Sequence, residues 1–409
     1  LDRNTNESVF LYNENNKLPH DLIVIDEMSM VDIIIFYKLL KAIKDEAVLV
    51  LVGDVNQIPS VSPGDVLRDI IKTEKFFPVT FLNKVFRQNE GGLINLNAHN
   101  LLNNKKFITD KKGDAKKEFI IKYRKEYDAA QYGKEELLKD FEKFIKKIAA
   151  KRMSSANLTN PLIFDDIQVL TPMKKGILGY HNLNKIIQAT FNPNSPNTLT
   201  AATLLTSTDA KNEDNKISSS KDDINNNNIS NDCSFICNGI QFKIYDKVIQ
   251  KKNNYDLEVF NGDTGYITNI NHEEKTVSVD FTDYSSGKNR ILNNPLENKY
   301  KYNYFDNDAD KDKSRIVKYD FLDVYENIMP AYALSIHKAQ GSEFNNVIVL
   351  FHQSHFMMLK KNLLYTAITR GKKNVVIFGT YKAFGIAMNS KEEIRNSGLK
   401  ERIIEEFYQ

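Results

Sequence analysis

Two adjacent acids, Asp26 and Glu27, end the apolar run L-I-V-I at residues 22–25. A run with no polar face predicts a parallel strand covered by helices on both sides. Its acids then emerge at the carboxyl edge of a sheet, where ligands of open α/β folds bind. One acid there can hold Mg²⁺, and the other can orient or deprotonate an attacking water. The plainer alternative is a strand that ends in a solvated acidic turn. A second apolar run, V-L-V-L-V at 48–52, feeds the tight turn Gly53-Asp54. Gln57 follows on a loop stiffened by Pro59 and Pro63. A neutral amide can accept from a water and donate to a phosphate oxygen, so Gln57 suits the sensing of a γ-phosphate. Taken singly it is also compatible with a surface glutamine. The two strands, with polar tips about one helix apart, favour the catalytic reading.

A second group of candidates lies near the other end of the chain. Residues 335–344 read S-I-H-K-A-Q-G-S-E-F, and N-V-I-V-L-F follows as a buried strand. Gly341 permits a turn that a side chain would block. His337 and Gln340 are planar donor–acceptors suited to backbone or base contacts on a single strand, although His337 taken alone reads first as a satisfied core histidine. Glu343 could accept from a ribose hydroxyl. L-L-Y-T-A-I-T-R at 363–370 predicts a helix ending at Arg370. A guanidinium there could reach a γ-phosphate bidentately, or simply cap the helix carboxyl end. Arg87, in V-F-R-Q, is a candidate of the same kind.

The elements that must position these residues follow from periodicity. Residues 1–80 read as α/β, with an amphipathic helix from Val31 to Lys44 between the two strands. Residues 81–150 read as mostly helical. I-Q-V-L-T-P at 167–172 predicts a short buried strand, and a helix follows from about Tyr180. From Asn192 to Asn238 the chain is dominated by Asn, Ser, Thr and Asp, a composition too poor in apolar surface to offset ordering. Short alternating strands separated by turn signals at 239–282 predict a small antiparallel barrel. A second polar insertion occupies 283–314. The chain has 409 residues, 41% hydrophobic and 27% charged, with a formal net charge of only +3, so any nucleic-acid surface must be local. Cys233 and Cys237, without companion ligands, make neither a zinc site nor a disulfide framework. No run reaches membrane-spanning length and no signal peptide is visible, so a cytoplasmic protein without a membrane partner is expected.

The ordered set D-E-M-S, G-D-V-N-Q-I-P-S-V-S-P-G, V-F-R-Q, the segment 167–193, N-N-Y-D…V-F-N-G-D-T-G, I-H-K-A-Q-G-S-E-F and Y-T-A-I-T-R-G-K-K resembles superfamily 1 DNA helicases of the RecD-like branch. The match runs through nearly all of the chain apart from the two polar insertions. It implies an α/β fold of two RecA-like motor domains, the first incomplete, with a small SH3-like β-barrel inserted in the second. The implied limits are 1–80 for the first motor domain and 81–191 plus 326–409 for the second. The insertion then falls at 192–238 and the barrel at 239–325. By resemblance Asp26 binds Mg²⁺, Glu27 is the catalytic base, Gln57 couples the γ-phosphate to domain movement, and Arg87 and Arg370 are arginine fingers. Gly53, Asp54, Gln88, Gly341 and Glu343 fall on the ATP side. Ser335, His337, Gln340, Pro63, Asn254, Tyr255 and Asn261 fall on the nucleic-acid side. The implied partners are single-stranded and duplex DNA, with 5′ to 3′ movement, and a recombination or repair nuclease complex as a further partner. Residues 9–19 resemble the short hairpin that wedges strands apart. Ser335 stands where Thr is usual and Ala339 where Ser is usual.

The family's phosphate loop, G-x-x-x-x-G-K-[ST], is missing from this sequence. That loop supplies the backbone cradle, a lysine and a hydroxyl ligand for Mg²⁺. The expectation is therefore a chain truncated before or within its first motor domain, hydrolysing ATP poorly or not at all. Two other readings stand beside it: a non-catalytic module that holds single-stranded DNA, and a decayed gene product.

Overall fold

The computed structural model describes residues 10–82, 92–110, 117–155, 164–193, 234–281, 315–391, 395 and 397–408. The chain begins with β1 (Leu22–Ile25), α1 (Ile33–Ala42), β2 (Val48–Leu51), α2 (Val66–Ile71), α3 (Leu93–Leu102) and β3 (Phe119–Lys122). Its middle runs through α4 (Gly133–Ser155), β4 (Ile167–Thr171), α5 (Tyr180–Phe191), β5 (Ser234–Cys237), β6 (Ile240–Lys243), β7 (Lys247–Gln250), β8 (Thr264–Asn271) and β9 (Thr276–Asp280). After these come β10 (Ile316–Asp320), α6 (Phe321–Asn327), β11 (Ile328–Pro330) and β12 (Ala333–Ser335). It ends with β13 (Phe344–Phe351), α7 (Lys361–Thr369), β14 (Gly371–Gly379), α8 (Tyr381–Met388) and α9 (Leu399–Tyr408). These elements form two compact units, Leu1–Asp128 with Ile336–Gln409, and Ala129–Ser335.

In the first unit β1 and β2 pair in parallel, Leu22 opposite Val48 and Ile25 opposite Leu51. Asp32 starts α1 by accepting from the backbone N–H groups of Ile34 and Ile35 at 2.9 and 2.8 Å. Met28, Phe36, Val66 and Leu67 then form a core with Ile25, Leu49 and Leu51 against one face of the pair. The other face is open: Leu22, Val24 and Val48 are 60, 56 and 58% exposed. The expectation of helices on both faces is thus corrected. Side chains alternate along a strand, and among the described residues helices cover one set only. Val24→Thr should therefore change stability by less than about 0.5 kcal/mol, as surface substitutions do. A loss above about 1.5 kcal/mol in urea unfolding would mean that the face is covered.

The same unit contains the parallel strands β13, β14 and β3, with Val347 opposite Val375 and Val375 opposite Phe119. The last five residues of β13 and of β14 are buried, which explains their unbroken apolar runs. β3, the segment F-I-I-K, corrects the reading of 81–150 as mostly helical. The last helix, α9, returns to the start of the chain. Phe407 stacks on Phe76 at 4.5 Å and meets Phe77 edge-on at 5.7 Å.

In the second unit β10-β9-β8-β7-β11 form an antiparallel sheet, and β5 and β6 form a hairpin. Phe235, Phe242, Val248, Val259, Ile267 and Val279 pack inside, so the small antiparallel domain expected at 239–282 is present. β10 follows the second polar insertion within the expected limits of 239–325, and β11 extends the sheet just past them. β5 lies inside the stretch expected to be an insertion, and so corrects its carboxyl limit. The rest of that insertion, 194–233, and residues 282–314 lie outside the described residues. β4 is buried throughout and pairs with β12 in parallel. Asn184 of α5 holds β12 in place, accepting from Ala333 N at 2.8 Å and donating to Ala333 O at 2.9 Å.

Candidate functional site

The two acid-bearing turns abut. Met28 N donates to Val52 O at 2.9 Å and Val52 N to Ile25 O at 2.8 Å. A Cβ at Gly53 would lie 3.0 Å from Met28 N and 2.8 Å from Leu67 Cδ2, so only glycine lets the turns approach this closely. Asp26 is exposed, and its Oδ1 accepts from Glu27 N at 2.7 Å. Glu27 is half-buried and sits in the left-handed region, φ 52° and ψ 41°. That conformation costs a non-glycine residue about 1–2 kcal/mol. Such strain concentrates where a side chain must be aimed.

Asp54 builds the second turn, accepting from Asn56 N at 2.9 Å, while its backbone carbonyl accepts from Gln57 N at 3.2 Å. Gln57 is 9% exposed, and its buried Oε1 has no hydrogen-bond partner. A buried amide oxygen without a donor is a position where a ligand or water is expected. Pro63 is exposed, and its carbonyl accepts from Ile33 N at 3.1 Å.

Segments about 300 residues further on close over this loop. The Tyr365 hydroxyl donates to Asp54 Oδ2 at 2.8 Å. Burial, and then the Asp54 carboxylate, push that hydroxyl well above the ordinary tyrosine range, so it remains a donor. Thr366 Oγ1 accepts from Ile58 N at 3.0 Å, and Gln340 Nε2 donates to Ile58 O at 2.6 Å. Gln340, expected on the nucleic-acid side, thus spends its amide on the Gln57 loop. Tyr365 and Thr366 were not singled out in the sequence, although both stand within Y-T-A-I-T-R. Tyr365→Phe should cost about 1.5–3 kcal/mol, the range for a hydrogen bond to a charged group, read from thermal unfolding. In Asp54→Asn the same substitution should cost less.

His337 opens a short 3₁₀ turn, and burial, helped by the Lys360 charge, lowers its basicity, so it is neutral at pH 7. Gly341 has φ +79°, the turn expected of it. Glu343 forms an ion pair with Lys372 at 3.1 Å, a partner the ribose reading left out. Arg370 caps α7 but is only 2% exposed. Its guanidinium donates to Ser342 O at 3.1 Å and to Thr366 O at 3.2 Å. It is held inside the Gln340–Ser342 turn and faces no open solvent. Residues 83–91, with Arg87 and Gln88, lie outside the described residues. Of residues 9–19, expected as the strand-separating hairpin, 10–19 are described; they hold an isolated Asn13–Asn16 bridge, and Lys17 Nζ donates to Lys41 O at 2.7 Å.

In the second unit Ser335 ends β12 opposite Thr171. Asn254 pairs with Val259 across a tight loop, and Asn261 N donates to Asn253 Oδ1 at 2.9 Å. That loop presents Tyr255 and Phe260, 75% and 43% exposed, with rings 5.9 Å apart. A local basic surface also emerges. Besides burial, the charges of Lys174, Lys175 and Lys185 depress His181, and those of Lys252 and Lys174 depress Lys251. Two segments distant in sequence, 174–185 and 251–252, therefore bring like charges together, next to the amino end of α5.

Acid-tipped parallel strands under a closing helix–turn, in a chain that also carries a small antiparallel β domain, define the class: a RecA-like motor fold. Three domain models match along the chain: an AAA domain at 1–63, an ATP-dependent RecD-like DNA helicase SH3 domain at 223–281, and a UvrD-like helicase C-terminal domain at 330–378. The ATP-dependent RecD2 DNA helicase of Deinococcus radiodurans is 27% identical over 396 residues, 96% of this chain and 41% of that one. The RecBCD enzyme subunit RecD of Buchnera aphidicola subsp. Schizaphis graminum is 26% identical over 92% of this chain and 57% of its own length. A Bacteroides Pif1 helicase solved with ADP-AlF3 and single-stranded DNA gives a TM-score of 0.39 at 17% identity, over 95% of this chain and 76% of that one. Along nearly its whole length the chain is thus similar to RecD-like superfamily 1 helicases, and it spans about half the length of these curated relatives. Among the described residues no helix is long and apolar enough to cross a membrane.

Proposed function

We propose that this chain is the motor portion of an ATP-dependent DNA helicase that moves on single-stranded DNA and separates duplexes in recombination or repair. The observation that carries the reading is the closure of Gln340, Tyr365 and Thr366 over the Asp54–Ile58 turn. It joins the acid-bearing turns to the distant segment in the manner a nucleotide-coupled motor requires.

The residues present fit one side of a nucleotide. Asp26 would hold Mg²⁺, Glu27 would take the proton of the attacking water, and Gln57, whose Oε1 is buried without a partner, would sense the γ-phosphate. They do not fit the other side. The sequence has no glycine-rich phosphate cradle. No hydrolytic step is therefore assigned to this polypeptide by itself. A second reading is a non-catalytic module that holds single-stranded DNA. For either, Lys174, Lys175, Lys185 and Lys251 would meet phosphates, and Tyr255 and Phe260 would stack bases.

The decisive measurement is anisotropy of a labelled oligothymidylate over a range of salt concentrations. Binding that weakens with salt, with a slope about one smaller in Lys174→Ala, supports DNA binding. No binding at low salt removes both readings. DNA-stimulated ATP turnover, abolished in Glu27→Gln, separates the motor from the module. Strong turnover by this chain alone would contradict the argument from the absent cradle.

A further inference from the structure

Arg395 lies outside every motif recognised in the sequence, yet its side chain makes four hydrogen bonds to one loop. Nη1 donates to Ser60 Oγ at 3.1 Å, Ser62 O at 2.9 Å and Gly64 O at 2.8 Å. Nη2 donates to Ser60 O at 2.7 Å. We infer that Arg395 is a positioning residue, which fixes the Ser60–Gly64 loop and thereby the adjacent Gln57.

Within the loop the Ser60 hydroxyl already reaches Ser62 O at 2.9 Å and Gly64 O at 3.4 Å. Arg395 adds donors to these two carbonyls and to Ser60 O, which turn towards one planar group. Gly64 takes φ +105°, and a Cβ there would lie 2.9 Å from Ile33 Cβ, so the end of the loop is pinned against α1. Ile58, at the near end, is already held by Gln340 and Thr366. Pro59 separates the two fixed points, which leaves Gln57 little freedom. The segment around Arg395 is itself anchored. Ser397 Oγ donates to the Asp69 carboxylate on α2, and Phe407 of α9 stacks on Phe76. The carboxyl-terminal strap therefore sets the position of a loop more than 300 residues earlier. Between these bonds the loop holds out Val61, 93% exposed, beside the exposed Pro63. Lysine cannot replace this arginine, because one ammonium lacks the planar fork that spans three carbonyls.

The functional part of this inference rests on the proposed DNA-binding function and on the placing of Pro63, by resemblance, on its nucleic-acid side; the structural part does not. The test compares Arg395→Ala and Arg395→Lys with the unaltered chain. Its readouts are hydrogen exchange of peptides covering 57–64 and oligothymidylate anisotropy across salt. Arg395→Ala should lose protection at 57–64 while β13 keeps its own. It should bind about three- to tenfold more weakly, because a preorganised loop becomes mobile. The salt slope should not change, since the guanidinium faces carbonyls and no phosphate. Arg395→Lys should behave as Arg395→Ala in both readouts, and as the milder change it decides the matter if the alanine variant fails to fold. Unchanged exchange at 57–64, or full rescue by lysine, would overturn the inference. A slope reduced by about one would also overturn it, making Arg395 a phosphate contact. If the unaltered chain binds no DNA, the DNA-binding reading fails, and the exchange arm still decides whether Arg395 positions the loop.

Discussion

Asp246→Ala should destabilise the second unit by about 3–5 kcal/mol, the range for removing one partner of a buried charged network. Asp246 is fully buried and accepts from four donors: Gln188 Nε2 at 2.5 Å, Lys243 N at 2.8 Å, Asn192 Nδ2 at 2.8 Å and the Tyr332 hydroxyl at 3.0 Å. Alanine leaves these groups facing a cavity. Asp246→Asn should cost less, about 1–3 kcal/mol, because only one of the two oxygens is replaced by a donor. Burial raises the Asp246 carboxyl to about 6 against the network's opposing hydrogen bonds. The folded unit therefore binds a proton more readily than the unfolded chain. The stability that this group contributes is fully present below about pH 4 and is lost as the pH rises through about 6. Urea unfolding of the unaltered chain and of Asp246→Asn at pH 4 and pH 7 isolates this term, since the other groups titrate alike in both. A difference between them that does not change over this range would contradict the assignment.

Arg370→Ala should be the most damaging substitution in the first unit, at about 2–4 kcal/mol. It removes a large buried side chain and leaves the Ser342 carbonyl without this donor. Hydrogen exchange along β13 and β14 reports the loss locally, because Phe344 N donates to Arg370 O at 2.9 Å. Arg370→Lys keeps the charge but loses the fork, and should fold with a smaller penalty. In a form of the protein that has a phosphate cradle, this lysine variant distinguishes two roles. If the guanidinium neutralises phosphate charge in the transition state, turnover falls by about 10³-fold or more although the fold persists. If it only braces the Gln340–Ser342 turn, turnover follows stability.

The strands at 22–25, 48–51, 167–171, 344–351 and 371–379 were legible because each is an apolar run ended by turn residues. The helix at 180–191 was legible from its periodicity. F-I-I-K at 119–122 was not, since four residues between charged neighbours carry too little pattern to separate a strand from a turn. Asp246 and Lys247 were passed over because charged residues are rarely buried unless they are paired. Here four donors satisfy the acid, and the backbone carbonyls of Asp165 and Ile167 accept from the lysine, at 3.1 and 3.4 Å. The open face of β1 was misread for the opposite reason: an apolar run shows what a strand could bury, not what is packed against it.

The sequence by itself determined the order of the motifs, the acid-tipped turns and the presence of a small antiparallel β domain, because these are encoded in near neighbours. Tertiary structure alone decided that Tyr365 bonds Asp54, that Arg395 holds the Ser60 loop, that Arg370 lies buried, and that lysines from two distant segments share one surface. Tyr365 and Asp54 are 311 positions apart. No local propensity reaches so far, and only the packing of whole elements chooses which polar groups meet.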